Sequence, residues 1–264
     1  MNNGIGVNVY LSQKSGDLSD PNKWRGIMLM DVGSKIFSSV VNKQAFKLLD
    51  KSGTNFQFGG TPELGCRDGL FVLKIMLNLQ KNHNLPSHVA FVDLVKAYDM
   101  ANHELLLMLL KKYGAPPLFV SAVERMYRDL VVVLKIEKEK QEFCQSVGVR
   151  QGDNMAPVLF LFLMSAFAET FESEWKSAGI EVCTVRSVAG TQLANGEGKL
   201  RGHLPKDYLS RSLTAVEILQ CLYVDDGAFI FTSRTDLTTG LDLIHKHFAR
   251  FGLEMHIGRE GSLS

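Results

Sequence analysis

The sequence predicts an α+β fold, and three observations carry that expectation. Two apolar runs, residues 218–224 and 228–231, flank Asp225-Asp226-Gly227 and read as two strands joined by a tight Asp-Gly turn, where positive φ is needed. A third short run, 88–95 (His-Val-Ala-Phe-Val-Asp-Leu-Val), is β-branched and aromatic and reads as a buried strand with Asp93 near its C-terminal end. Around these lie longer stretches with apolar residues at helical spacing. Both hairpin runs show little alternation, so both faces of the hairpin are expected to be covered.

Taken in order, residues 4–11 form a short strand-like run, and 12–23 a polar loop with Lys14, Lys23 and Arg25 around Trp24. Ser34 reads as the N-cap of a helix to about Leu49, with Ile36, Phe37, Val40, Val41 and Leu48 on one side. A glycine-containing loop (55–62) leads to a second amphipathic helix over 67–81. After the strand bearing Asp93, Asn102 caps a leucine-rich helix that stops at Gly114, and Pro117 opens another. Residues 131–136 and 143–149 read as a hairpin, with the charged run 137–142 as its solvated turn. The loop 148–157 feeds a long helix over about 156–176, capped by Asp153 or Asn154, with Pro157 in its first turn. Residues 181–188 read as a strand, 189–212 as a polar excursion, and 236–251 as a helix ended by Gly252.

Composition narrows the class. At 264 residues, 45% hydrophobic and 22% charged, the chain suits one large domain or two small ones, and not a disordered segment. A formal net charge of +1 neither demands nor excludes nucleic acid, because binding follows local patches. The four cysteines, Cys66, Cys144, Cys183 and Cys221, are scattered, and the start is polar with no signal peptide. Reduced thiols in an intracellular protein, nuclear or cytoplasmic, are the expectation. No histidine–cysteine spacing suits zinc, and His245 and His247 project from different sides of a helix. The most apolar run, 158–168, is shorter than the roughly 20 residues of a membrane span, so no membrane partner is expected.

Asp225 beside Asp226 is repulsive in a buried turn unless a cation sits between the carboxylates. Asp-Asp-Gly is equally an ordinary surface turn. Asp93, arriving from a second strand, tilts the balance: three carboxylates converging from neighbouring strands make a hard oxygen site suited to magnesium. Around Gly148 and Gly152, Gln151 and bare backbone would let a base or sugar approach closely.

The motifs, in their order, resemble those of reverse transcriptases. Residues 223–226 (Tyr-Val-Asp-Asp) resemble the Tyr-x-Asp-Asp box. Residues 91–99 (Phe-Val-Asp-Leu-Val-Lys-Ala-Tyr-Asp) are similar to the first aspartate motif of LINE-type non-LTR retrotransposons and their group II intron relatives. Residues 148–153 (Gly-Val-Arg-Gln-Gly-Asp), then Ala156-Pro157, resemble the intervening Gln-Gly motif, and 23–27 (Lys-Trp-Arg-Gly-Ile) with 34–37 (Ser-Lys-Ile-Phe) resemble the fingers segment. The resemblance covers about residues 9–258.

It implies a right-hand polymerase with an antiparallel palm sheet packed on helices: fingers over 1–85, palm over 86–115, a fingers and hairpin return over 116–148, palm again over 149–264, and no thumb. It implies an RNA-directed DNA polymerase using two Mg²⁺ ions (Mn²⁺ as substitute), with RNA template, DNA primer or duplex and dNTPs as partners, within a longer retroelement polyprotein. Carried over by position, Asp93, Asp225 and the Leu94 carbonyl would bind metal, with Asp226 completing the cluster. Tyr98 would lie under the sugar and exclude a 2′-hydroxyl. Lys14 and Arg25 would hold the triphosphate, and Gln151 with Gly152 would line the nucleotide site. Tyr98 equally suits plain core and Asp99 a structural cap, while Lys96 and Arg150 are as readily solvated charges as substrate contacts. Gly26 and Arg150 stand where the family often has proline, and Asp153 where it often has serine. A lysine-bearing motif is expected next after Ser264, and no thumb, endonuclease or zinc-knuckle segment is expected within these residues. A catalytically incompetent relic that binds nucleic acid or only folds is the alternative. A cyclase-like two-metal enzyme fits the aspartates but not the Gln-Gly loop.

Overall fold

The computed structural model describes residues 6–13, 17, 19–20, 23–52, 56–82, 84–136, 139–188, 191–194 and 214–256. Lys14, Asn55 and most of the 189–212 excursion lie outside the described residues. The chain forms two compact units: Met1–Gly53 with Lys96–Ala166 and Phe251–Leu253, and Thr54–Val95 with Phe167–Arg250 and Glu254–Ser264. These limits fall at other positions than the expected domain boundaries. The helix over 66–82, expected with the fingers, packs on strand 220–223 and so joins the second unit.

The first unit contains a four-stranded sheet. Strand β1 (Gly6–Gln13) pairs antiparallel with β2 (Trp24–Leu29), from Asn8 opposite Leu29 to Gln13 opposite Trp24. Its other edge is parallel to a later strand, Val131–Ile136, which pairs antiparallel with Glu139–Cys144. Val7, Val9, Leu130 and Val132 are buried together, with Met28 and Leu134 against them. The expected turn 137–142 is therefore mostly strand. The run Glu139–Cys144 is exposed along its whole length, and its charges suit a sheet edge that must not recruit another strand.

Helix α1 (Val32–Ser52) is capped by Asp31, not Ser34: the Asp31 carboxylate accepts from the Ser34 N–H at 2.9 Å and from its hydroxyl at 2.6 Å. Its expected apolar side also differs. Ile36, Phe37 and Val40 are exposed (62%, 48% and 59%), while Ser38, Ala45 and Leu49 are buried. Two of these inward positions, Ser38 and Ala45, carry small side chains, which hydrophobic periodicity does not register.

The second unit is built from α2 (Cys66–Asn82) and β3 (His88–Val92), followed in sequence by first-unit helices α3 (Ala97–Met100), α4 (His103–Lys112) and α5 (Pro117–Tyr127) and the hairpin β4–β5 just described. Asn102 caps α4 by accepting from the Leu105 N–H at 2.9 Å, and Gly114 follows it with φ 77°. Helix α6 (Met155–Ser177) starts at Asp153, whose carboxylate accepts from the Met155 N–H at 3.0 Å. Its segment Ala156–Ser177 is long and apolar enough to cross a membrane by composition, yet 72% of its most apolar window is buried within the protein. It is a core helix.

Past α6, β6 (Cys183–Val188) lies between β7 (Thr191–Ala194) and β8 (Thr214–Ile218), both antiparallel to it. The expected single run 218–224 is broken at Leu219: β9 (Gln220–Tyr223) leaves for another sheet, of order β3-β10-β9, with β10 (Asp226–Phe231) in its centre. α7 (Arg234–Arg250) packs on β3 and β10. A ring cluster of Phe167, Phe171, Trp175, Phe229, Phe231 and Phe248 is fully buried, with Phe167 and Phe248 stacked at 4.0 Å. Each such burial is worth about 1.5–3 kcal/mol. The β3-β10-β9 sheet is thereby fixed at its rear, leaving the turn end for chemistry.

Candidate active site

Register decides where the carboxylates lie. In the β3–β10 ladder Gly227 is opposite Val92, and Phe231 is opposite His88. Continuing it by one residue sets Asp226 opposite Asp93, where cross-strand Cβ atoms are about 4.5–5.5 Å apart. Asp225 occupies the second position of the β9–β10 turn, since Asp226 pairs with Tyr223. The turn is thus Val224-Asp225, not Asp226-Gly227. Gly227 sits inside the ladder, where a Cβ would lie 2.9 Å from the Phe229 ring. The residue with positive φ is Val224, at 59°. A β-branched residue there costs on the order of 1–3 kcal/mol and must be held by its surroundings.

Sequence reading missed the holder, Gln57. Its side-chain oxygen accepts from the Val224 N–H at 2.9 Å and the Gly59 N–H at 3.1 Å, and its amide nitrogen donates to the Val224 carbonyl at 3.5 Å. Backbone bonds on either side, Phe58 N–H to Leu222 O and Leu222 N–H to Phe56 O at 2.8 Å each, lay 56–58 along β9.

Asp93 and Asp226 are exposed and Asp225 is partly buried, so the acidic group is not the deeply desolvated set the sequence suggested. The Asp226 carboxyl is still held above its ordinary value, first by partial burial and then by the charge of Asp93. Beside it lies an apolar cleft of about 360 Å³, lined by Phe58, Leu70, Leu73 and Phe91 as well as by Asp93 and Asp226. Beyond β3, the Asp93 carbonyl accepts from the His256 N–H and the Val95 N–H donates to the Glu254 carbonyl, each at 2.8 Å. These bonds bracket the Leu94–Met255 bridge. Backbone alternation then sends the Leu94 carbonyl to the opposite edge, the one where β10 lies.

Among the described residues, no three His, Cys, Asp or Glu side chains are gathered into a metal cluster. Magnesium seldom takes an all-protein cage; it binds one or two carboxylates and keeps waters and substrate phosphates. Two facing carboxylates, Asp226 with its proton affinity raised by burial and by Asp93, and a backbone carbonyl on the same edge are a donor set that fits it.

The other expected site residues belong to the first unit. Tyr98 is partly buried and stacks on Phe160, ring centroids 5.0 Å apart. Gln151 donates from its side chain to Asp99 at 3.0 Å, and its carbonyl accepts from the Met28 N–H at 2.7 Å. Asp99 thus receives a side-chain donor. Gly152 has φ 108°, and a Cβ on it would lie 2.5 Å from the Met28 carbonyl. The space its missing side chain leaves is taken by β2. Arg25 is exposed on β2, opposite Ser12. Arg150 is buried, not solvated: it pairs with Asp153 at 2.7 Å and lies over the Tyr127 ring at 5.2 Å. The Tyr127 hydroxyl is pushed up to about 12 by burial. The structure therefore brings Asp93, Leu94, Asp225 and Asp226 together in one unit, and Arg25, Tyr98, Gln151 and Gly152 into the other.

Comparisons with known proteins give one consistent answer. Residues 12–257 match the family model described as reverse transcriptase (RNA-dependent DNA polymerase). The Pol polyprotein of the type-2 retrotransposable element R2DM of Drosophila melanogaster is 32% identical over 119 residues, covering 45% of this chain and 11% of that protein. The Pol polyprotein of a type-1 R2 element of Bradysia coprophila is 22% identical over 177 residues, 67% of this chain and 16% of that one. The chain thus spans a small part of these relatives. Among solved structures, Candida tropicalis telomerase in complex with a fragment of telomeric RNA superposes with a TM-score of 0.62 at 14% identity, covering 97% of this chain and 41% of that one. An apo telomerase from the same organism, truncated from its C-terminal domain, gives 0.58, also at 14% identity, over 97% of this chain and 51% of that one.

Proposed function

This chain belongs to the reverse transcriptase family, and from that premise we propose that its acidic turn is the catalytic centre of RNA-directed DNA synthesis. The observation that carries the reading is the β3–β10 register, which continued by one residue sets Asp226 opposite Asp93, with Asp225 on the adjoining β9–β10 turn. Asp93, Asp225 and the Leu94 carbonyl would hold two Mg²⁺ ions, for which Mn²⁺ could substitute, and Asp226 would complete the negative charge around them. The ions, when bound, supply positive charge at the triphosphate and favour ionisation of the primer hydroxyl. The 3′-hydroxyl of a DNA primer on an RNA template attacks the α-phosphorus of a dNTP, and pyrophosphate leaves.

The protein's own part is positioning. Tyr98, held by its stack on Phe160, offers a rigid ring edge against a ribose 2′-hydroxyl. Lys14 and Arg25 hold the triphosphate by charge. Gln151, fixed by Asp99 and by the bond of its carbonyl to β2, lines the nucleotide site with Gly152. The R2-type relatives are Pol polyproteins, and we infer the same setting for this chain.

Primer extension on a primed RNA template with Mg²⁺ tests the reading, with Asp225→Asn alongside. Incorporation by the wild type is expected to fall by about a hundredfold to a thousandfold in the variant, in line with loss of a principal charge-stabilising group. Equal incorporation by both proteins would refute the site. Binding of RNA–DNA duplex with no incorporation by either would favour the incompetent relic.

A further inference from the structure

We propose that Gln57 is a positioning residue for the acidic turn: it locks Val224 into the positive-φ conformation that presents Asp225 and Asp226 beside Asp93. Three features converge on it. Gln57 is 5% exposed, although it lies in a loop and carries a polar side chain. Its oxygen accepts two backbone N–H groups, from Val224 and Gly59, and that pair of donors settles which end of the amide faces the turn. Its nitrogen reaches the Val224 carbonyl at 3.5 Å, so one side chain engages both polar groups of the strained residue.

The neighbouring backbone is shaped for this contact. A Cβ on Gly59 would lie 2.6 Å from the Val224 nitrogen and 2.7 Å from its Cγ2, so a glycine is required where the loop meets the turn. Gln57 also bridges Leu222 in parallel register, and backbone bonds of Phe56 and Phe58 with Leu222 hold the loop along β9. A valine has little reason to stay at φ 59° by itself. Without Gln57 the turn is expected to relax, moving Asp225 and freeing Asp226 from its place opposite Asp93 while the rest of the sheet, buried from Ala228 to Phe231, stays in place. The geometry stands without the proposed function, but its consequence for metal rests on that reading.

The test uses the 264-residue chain with two readouts. Amide exchange at Val224 and Gly59 is followed by NMR, and Mn²⁺ alone is titrated by electron paramagnetic resonance, for wild type, Gln57→Ala, Gln57→Glu, Val224→Gly, Gln57→Ala with Val224→Gly, and Asp225→Asn. Gln57→Ala is expected to speed exchange at both amides at least about tenfold, with Ile230 and Phe231 still protected, and to weaken Mn²⁺ binding about tenfold, as loss of an orienting partner does. Gln57→Glu keeps the accepting oxygen and should keep exchange slow. Glycine adopts positive φ without support, so the double variant should recover most of the Mn²⁺ affinity, and it replaces Gln57→Ala if that protein does not fold. Unchanged exchange in Gln57→Ala would overturn the proposal. So would fast exchange with full Mn²⁺ affinity while Asp225→Asn loses it, since Gln57 would then be structural only. If Asp225→Asn binds Mn²⁺ as well as wild type, the metal reading fails, and exchange alone decides whether Gln57 holds the turn.

Discussion

His245 and His247 sit two residues apart on α7 and meet opposite surroundings. His245 is exposed, whereas the His247 ring is 2% exposed between Phe167 and Phe171. Its Nδ1 lies 3.1 Å from the Glu174 carboxylate and its Nε2 2.9 Å from the Thr170 hydroxyl. Burial lowers its affinity for a proton, with Glu174 opposing part of the effect. The sign follows: as pH falls through the ordinary histidine range near 6.5, the unfolded chain takes up a proton that the folded chain does not. Stability is then expected to drop between pH about 7.5 and 5.5. Urea midpoints at the two pH values should differ less in His247→Gln than in the wild type, and an equal difference would show that another group sets the slope. That His247 would face away from His245 was legible from spacing. Its partners were not, and Gln57 was hidden for the same reason: a glutamine in a polar loop looks solvated until a chain segment 167 residues away supplies its partner. Arg150 misled similarly, since only the fold reveals that Asp153 and Tyr127 enclose it.

At the scale of elements, strands and helices were readable where a run of like residues carried them. β3, α2, α4 with its Asn102 cap, α6 and α7 follow their expected spans within a few residues. Turns were less readable. Asp-Gly is the strongest local signal for a hairpin tip, yet β10 begins at Asp226 because Gln57 makes a positive-φ valine tolerable in a turn two residues earlier. The charged run after β4 looked like loop because a solvated edge strand needs no apolar face. Glycine at 152 was legible as special, but its reason was not: the loop before α6 is pressed onto the Met28 carbonyl of β2. Gly152→Ala must carry φ 108° with a side chain and push β2 away. A loss of about 2 kcal/mol or more is expected, since a left-handed residue alone costs about 1–2. Urea unfolding would check it, and a loss under about 0.5 kcal/mol, the scale of an ordinary surface change, would mean the loop yields.

At the scale of the whole molecule, the chain folds as two compact units, and the boundary falls inside α6, with Ala166 in the first and Phe167 in the second. Sequence length allowed one domain or two; the interleaving of segments could not be read, because it depends on which distant strands pair. The two tryptophans fall one to each unit, Trp24 on β2 and Trp175 at the end of α6. Trp175 is fully buried and stacks on Phe231 at 4.8 Å. In a Trp24→Phe protein its emission reports the second unit alone, while far-ultraviolet circular dichroism reports helices of both. Phe231→Ala removes a fully buried ring and should cost about 3–5 kcal/mol. Because fraying α6 on one side of Ala166 strips hydrogen bonds from the turn on the other, we expect both signals to shift to lower urea together and to keep coincident midpoints. A Trp175 transition that moves alone, leaving a second helical transition at the wild-type midpoint, would mean that the two units unfold independently and that α6 is a connector without being a coupling element.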